Sequence, residues 1–286
     1  MLKIVFEWLG KPDPATLEQI AQIPAICGVF CKLSSLCGDG ALREEELSNL
    51  RGKIACSGLA LEVVEYFPLH EDVIRMKGDH KRHIANFKED IARLSEIGVK
   101  CLCYSLDLCN GNQRYGEHGE AERWKNMEYF LGEIIPVAEK YRVNMALCPN
   151  GRAQTFSKAP GFEAAEKDID ALLGLRHERI HGIALPISGL GLENFESRRK
   201  LVRKYGAMGR IHFTDLGNPQ NPGESNAKDI PQLMKAYHDA DFEGYATLAR
   251  RGANPGAISP DMELRGVALG ANYLAGVWDT LDKFNF

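Results

Sequence analysis

Leu61-Glu-Val-Val-Glu-Tyr-Phe-Pro-Leu-His-Glu-Asp72, Arg82-His-Ile-Ala-Asn-Phe-Lys-Glu-Asp-Ile-Ala-Arg-Leu94 and Ile97-Gly-Val-Lys-Cys-Leu-Cys-Tyr104 succeed one another closely along the chain. The first opens on a short β-branched run. The second sets Ile84, Phe87, Ile91 and Leu94 at helical spacing, with Ile97 completing the stripe, and the third returns to a short apolar run. A helix with such a stripe buries one face against a sheet. Gly98 can end it, because glycine enters the left-handed conformation at a helix C-terminus without a Cβ penalty. The unit is therefore strand, helix, strand, which is how parallel strands are joined.

The same alternation runs through the whole chain. Strands are expected over Leu2 to Phe6, Ile26 to Phe30, Leu59 to Glu65, Val99 to Tyr104, Val143 to Cys148, Ile180 to Leu185, Arg210 to Thr214 and Gly244 to Leu248, each followed by a helical pattern. Thr16-Leu-Glu-Gln has the form of a capping box, and Gly58 supplies a helix stop before the third strand. Eight such units in 286 residues predict one α/β domain spanning residues 1–286, a closed (β/α)8 TIM barrel. In that architecture the C-terminal strand ends face a common cavity, so a site is to be sought in the loops that follow them.

Composition narrows the function classes. The formal net charge is -4 and the pI about 6.1; no long block of like charge marks a nucleic-acid or membrane arm, so neither partner is expected. No apolar run reaches the roughly 18 residues of a membrane span, and the N-terminus lacks a signal-peptide pattern. A cytoplasmic location is expected. Of the eight cysteines, Cys27, Cys31, Cys101, Cys103 and Cys148 lie in strand-like runs, and Cys37, Cys56 and Cys109 in loops or helix ends. That pattern suits reduced thiols better than a disulfide frame.

The opening stretch, with Phe6-Glu-Trp-Leu-Gly10, Leu17-Glu-Gln-Ile-Ala-Gln-Ile-Pro24, Ile211-His-Phe213 and Leu269-Gly-Ala-Asn-Tyr-Leu-Ala-Gly-Val-Trp278, resembles the mannonate dehydratase family of xylose-isomerase-like barrels. The resemblance implies a lyase of carbohydrate metabolism that removes water from a hexuronate-derived sugar acid, with a divalent ion, usually manganese, held by the later strands. The ligand positions differ here. The family pattern Ala-Ile-His-Pro-Asp-Asp corresponds to Ala146-Leu-Cys-Pro-Asn-Gly151, and Phe-Cys-Thr-Gly-Ser to Ala184-Leu-Pro-Ile-Ser-Gly189. Likewise Ile-His-Phe-x-His-Leu-Arg-Asn becomes Ile211-His-Phe-Thr-Asp-Leu-Gly-Asn218, and Arg-Pro-Asp-His-Gly becomes Thr247-Leu-Ala-Arg-Arg-Gly252. Cys148 and Asp215 alone keep ligand chemistry, whereas a catalytic ion normally needs three protein ligands. No cofactor is expected unless a divalent ion such as manganese occupies a rebuilt site.

Such a rebuilt site would draw on Glu65, His70 to Asp72, Asp107, and His212 with Asp215, although the three-residue spacing of the last pair puts them on opposite faces of a strand. A small anionic carbohydrate is the expected ligand. Arg250 and Arg251 are candidates for a clamp on its carboxylate, helped by Arg152 and Lys158, with Asn150 and Asp215 on hydroxyls and Trp8 and Tyr104 as stacking or hydrogen-bonding residues. Each has a plainer reading as surface charge, loop or packing residue. Cys148 is either a buried inert thiol or a nucleophile, the latter requiring a nearby cation, for which Arg250 or Arg152 is the sequence candidate. An isomerase or epimerase, a non-catalytic ligand-binding barrel and a subunit of a larger complex stay open beside the dehydratase, as does a homo-oligomer.

Overall fold

The computed structural model describes residues 1–10, 13–33, 42–105, 120–148, 162–186, 195–217, 229–248 and 259–284. Its strands are β1 (Lys3–Glu7), β2 (Ile26–Lys32), β3 (Leu61–Glu65), β4 (Cys101–Ser105), β5 (Asn144–Cys148), β6 (His181–Pro186), β7 (Ile211–Asp215) and β8 (Tyr245–Thr247). All pair in parallel in chain order, and β8 closes on β1 through Lys3↔Tyr245 and Ile4↔Ala246. The helices among the described residues are α1 (Leu17–Ala21), α2 (Glu44–Cys56), α3 (Glu71–Arg75), α4 (His80–Glu96), α5 (Glu120–Tyr141), α6 (Phe162–Leu175), α7 (Phe195–Gly206), α8 (Ile230–Asp239) and α9 (Pro260–Phe284). This is the (β/α)8 barrel that the alternation predicts.

Local signals act as their chemistry requires. Thr16 Oγ1 accepts from Gln19 N while the Gln19 side chain accepts from Thr16 N, a complete capping box on α1. Gly58 and Gly98 follow α2 and α4 with φ of 76° and 105°, and both helices stop there. On α4, Ile84, Phe87, Ile91 and Leu94 are buried.

Alternation along the strands separates two apolar cores. Val5, Phe30, Val63, Cys101, Cys103, Ala146, Ala184, Phe213 and Tyr245 form a cluster inside the barrel. Phe30 and Phe213 meet there with ring centroids 4.9 Å apart. The opposite set, including Ile4, Phe6, Val29, Val64, Leu102 and Tyr104, joins the helices in a larger outer cluster. Inward positions therefore recur every second residue. One step beyond the inner cluster, toward the C-terminal ends, they are Glu7, Lys32, Glu65, Cys148 and Asp215.

Candidate active site at the barrel mouth

Two of these residues owe their place to strands that run longer than the apolar pattern suggests. β2 continues past Phe30 because Cys31 and Lys32 still pair with Val64 and Glu65 of β3, and β1 carries Glu7 beside Phe30. Lys32 thus stands among carboxylates. Its Nζ lies 2.9 Å from Glu7 Oε1, with the Lys32 and Glu7 side chains 38% and 17% exposed. Burial pulls the Lys32 ammonium down, but Glu7, by charge and hydrogen bond, together with Glu65 and Cys148, outweighs it and holds the pKa above the ordinary lysine value. The Glu65 carboxyl is pushed up by burial, with Lys32 opposing and Glu7 adding to the rise. The result is a fixed cation flanked by carboxylates at the mouth, one of them biased toward keeping its proton.

Cys148 ends β5 and packs on the inner cluster. The Cys103 thiol is pushed well up by burial, with Cys101 and Cys148 adding to it. Lys32 is a cation among the described residues whose electrostatics include Cys148; Arg250 and Arg152, the sequence candidates, lie outside them. Asp215 ends β7 on the same face as Phe213, and its Oδ1 accepts the Gly217 N–H at 2.8 Å. Pro186 ends β6 as the register partner of Asp215 and has no side-chain donor for a metal. Asn150, Arg250 and Arg251, with Arg152, Lys158, Asp107 and Ala249, lie outside the described residues.

Two expected ligand-binding residues face elsewhere. Tyr104 follows the outward parity of β4, is wholly buried, and packs against Phe87 and Phe130. Its hydroxyl lies 3.0 Å from His181 Nε2. Arg210 donates to the His181 carbonyl at 2.7 Å and to the Leu173 carbonyl at 2.8 Å, and its Nη2 lies 3.2 Å from His181 Nδ1. A guanidinium only donates, so Nδ1 accepts and the ring proton sits on Nε2, pointing at Tyr104. Trp8 likewise belongs to the outer cluster. Period-two alternation, counted from Cys103, accounts for the outward placement of Tyr104. His212 is also turned from the mouth: it lines a cleft of about 1030 Å³ with Lys3, Arg179 and His238, residues on the N-terminal side of the strands. It therefore cannot join Asp215 in a rebuilt site.

The fit of the mouth to a resident divalent ion follows from its donors. Among the described residues at the places the family resemblance marks, Cys148 and Asp215 can coordinate and Pro186 cannot. At those places the described residues supply two donors, short of the three of a catalytic site, and Glu7, Glu65, Cys148 and Asp215 do not gather closely enough at the mouth to form a group that could hold an ion. His70 and Asp72, also named from the sequence, instead gather with His83 of α4.

The family model for D-mannonate dehydratase (UxuA) matches residues 2–114 and 107–286. The chain belongs to this family. Among mannonate dehydratases, that of Thermotoga neapolitana is 28% identical, with 99% of this chain and 98% of the relative covered. Mannonate dehydratase 2 of Halalkalibacterium halodurans is 25% identical, with 99% and 100% covered. The first alignment extends over 354 positions, so the relative carries insertions that a chain of 286 residues lacks. In fold, the chain is similar to mannonate dehydratase from Streptococcus suis, with a TM-score of 0.75 at 22% identity and 98% and 95% of the two chains covered. A D-psicose 3-epimerase from Clostridium cellulolyticum follows at 0.70 and 14%, with 97% and 99% covered.

Proposed function

We propose that this member of the mannonate dehydratase family acts on or binds a sugar acid at the C-terminal mouth, with Lys32 receiving the ligand's carboxylate. The observation that carries the reading is the Lys32 ammonium held 2.9 Å from Glu7 and under the influence of Glu65 and Cys148. A protonated amine at a half-buried lip pairs with a carboxylate and stabilises the charge that develops when the neighbouring carbon loses a proton. Glu65, its pKa raised mainly by burial, is proposed as the group that exchanges that proton. Arg250, Arg251, Asn150 and Asp215 are proposed to hold the remaining carboxylate and hydroxyl groups. The free thiols among the described cysteines agree with a reducing, cytoplasmic setting.

A sugar isomerase or epimerase is the second reading, favoured by one feature: Glu7 and Glu65 both act on Lys32, and two carboxylates can take a proton from one face and return it to another. Calorimetric titration with hexonates, hexuronates and ketohexoses tests the binding step, and proton NMR in heavy water follows the chemistry. Loss of water without an epimer identifies the lyase, while deuterium incorporation with an epimer identifies the second reading. Hexonate affinity unchanged in Lys32→Met, or absent in the wild type, overturns the assignment of Lys32.

A further inference from the structure

His70, Asp72 and His83 converge outside the mouth. His70 follows β3 and caps α3, its Nδ1 accepting the Asp72 N–H at 3.1 Å. Because the backbone N–H donates, Nδ1 is the unprotonated nitrogen, its lone pair taken up by that bond, and the proton of the neutral ring is on Nε2. Asp72 Oδ2 lies 3.7 Å from His70 Nδ1 and 3.9 Å from His83 Nε2. The same oxygen accepts the Asp79 N–H at 3.1 Å. Gly78, at φ 51°, allows the close turn: a Cβ there would stand 2.7 Å from Asp72 Oδ2. The His83 ring, in the first turn of α4, stacks on His70 with centroids 4.0 Å apart and planes 14° apart. One ligand atom from each residue lies within 4.8 Å of the other two.

We propose that these three residues bind a borderline divalent transition ion of the zinc class, at a site distinct from the barrel mouth. A tetrahedral ion with bonds of about 2.0–2.1 Å has ligand edges of roughly 3.3–3.4 Å. The two measured edges need to shorten by about half an ångström, and the stacked imidazoles must rotate so that both in-plane lone pairs converge on the ion, movements open to partly exposed side chains. Two imidazoles and one carboxylate suit zinc-class ions, whereas calcium and magnesium require oxygen-rich sets. Binding moves the Nδ1 lone pair of His70 from the Asp72 N–H to the ion, leaves the Nε2 proton in place, and offsets one of the two positive charges with the Asp72 carboxylate. Three protein ligands leave the fourth position for water or a small donor. Because α3 and α4 begin on the face where β3 ends, the ion would sit on the rim beside the mouth. Neither Lys32 nor Glu65 takes part, so the site stands independently of the proposed function.

The test is titration of the metal-free full chain with zinc, and with cobalt as a spectroscopic substitute. The expected result is one ion per chain, with a tetrahedral cobalt spectrum showing nitrogen and oxygen ligation. His83→Gln and His70→Ala should each weaken binding by roughly 10–100-fold or more, the scale reached even by outer ligand-supporting residues. Cys148→Ser should leave it unchanged. Thermal unfolding of each ion-free variant checks that the fold is intact, and paramagnetic broadening of the His70 and His83 ring protons by cobalt in the wild type reads the site without substitution. Equal affinity in the wild type and the His70/His83 double variant, a thiolate-type cobalt spectrum lost in Cys148→Ser, or no zinc bound overturns the proposal.

Discussion

Lys32 Nζ and Glu7 Oε1 are 2.9 Å apart, and the pair bridges β1 and β2 at their C-terminal ends. Replacing Lys32 by Met keeps much of the stem but removes the charge that lowers the Glu65 pKa. Glu65 should then titrate at still higher pH than in the wild type, read from carboxyl-carbon NMR. Hexonate affinity should fall by at least about tenfold, near 1.4 kcal/mol, while Lys32→Arg retains part of it. An unchanged Glu65 titration would show that Lys32 does not act on this carboxylate in solution.

Acid should weaken the fold through two histidines. Burial, then Arg210 and His212, push His181 down to about 3; burial pushes His212 down to about 4, with Arg210 and Arg179 adding against the backbone carbonyls of Arg179 and Ile180. Both pKa values lie below that of the unfolded chain, about 6.5. As pH falls through that value the unfolded state gains protons that the folded state refuses, so stability is fully present above it and lost down toward the folded values. Each histidine contributes a slope of at most about 1.4 kcal/mol per pH unit. Urea unfolding at about pH 7, 6 and 5 should show this decline, and His181→Gln should flatten it.

Gly182→Ala should be severely destabilising. The added Cβ would stand 2.2 Å from the Arg210 carbonyl oxygen and 2.7 Å from His212 Nε2, and one of these atoms is backbone. A loss of about 1–3 kcal/mol or more is expected from such overpacking. Gly52→Ala in α2 meets nothing within 4 Å and should stabilise by roughly 0.5–1 kcal/mol. Chemical denaturation of the two variants gives opposite signs if these surroundings are correct.

Thr214 ties β7 to its neighbours from the outer face. Its hydroxyl donates to the Leu185 carbonyl at 2.9 Å and lies 2.6 Å from the Tyr237 hydroxyl, where it accepts. Thr214→Val preserves the shape but leaves both partners short of a bond, costing about 1–3 kcal/mol. Adding Tyr237→Phe removes one orphaned hydroxyl, so the double variant should lose less than the sum of the single losses.

Which parts of this were readable from the chain follows from the range of the signals. The β-branched runs, the α4 stripe and the stops at Gly58 and Gly98 are local, and the strand ends they imply lie within two residues of those observed. Lys32 was missed because a charge after Ile26 to Phe30 reads as the end of a strand. Its signal was parity: two residues beyond Phe30, it repeats the inward position opposite Glu65. The same count, applied to β4, would have turned Tyr104 away from the mouth. His83 carried no such sign, since a histidine in the first turn of a helix meets His70 and Asp72 only through the turn at Gly78. Arg250, Arg251 and Asn150 lie outside the described residues.

The thiols inside the barrel make the protein a gauge of its own opening. Cys101 and Cys103 are 0% and 1% exposed, and burial holds the Cys103 thiol far from its reactive, ionised form. An alkylating reagent in solution therefore reaches them only when neighbouring strands part. The rate at which these two sulfurs are labelled measures how often the closed sheet comes undone, without any probe being engineered into it.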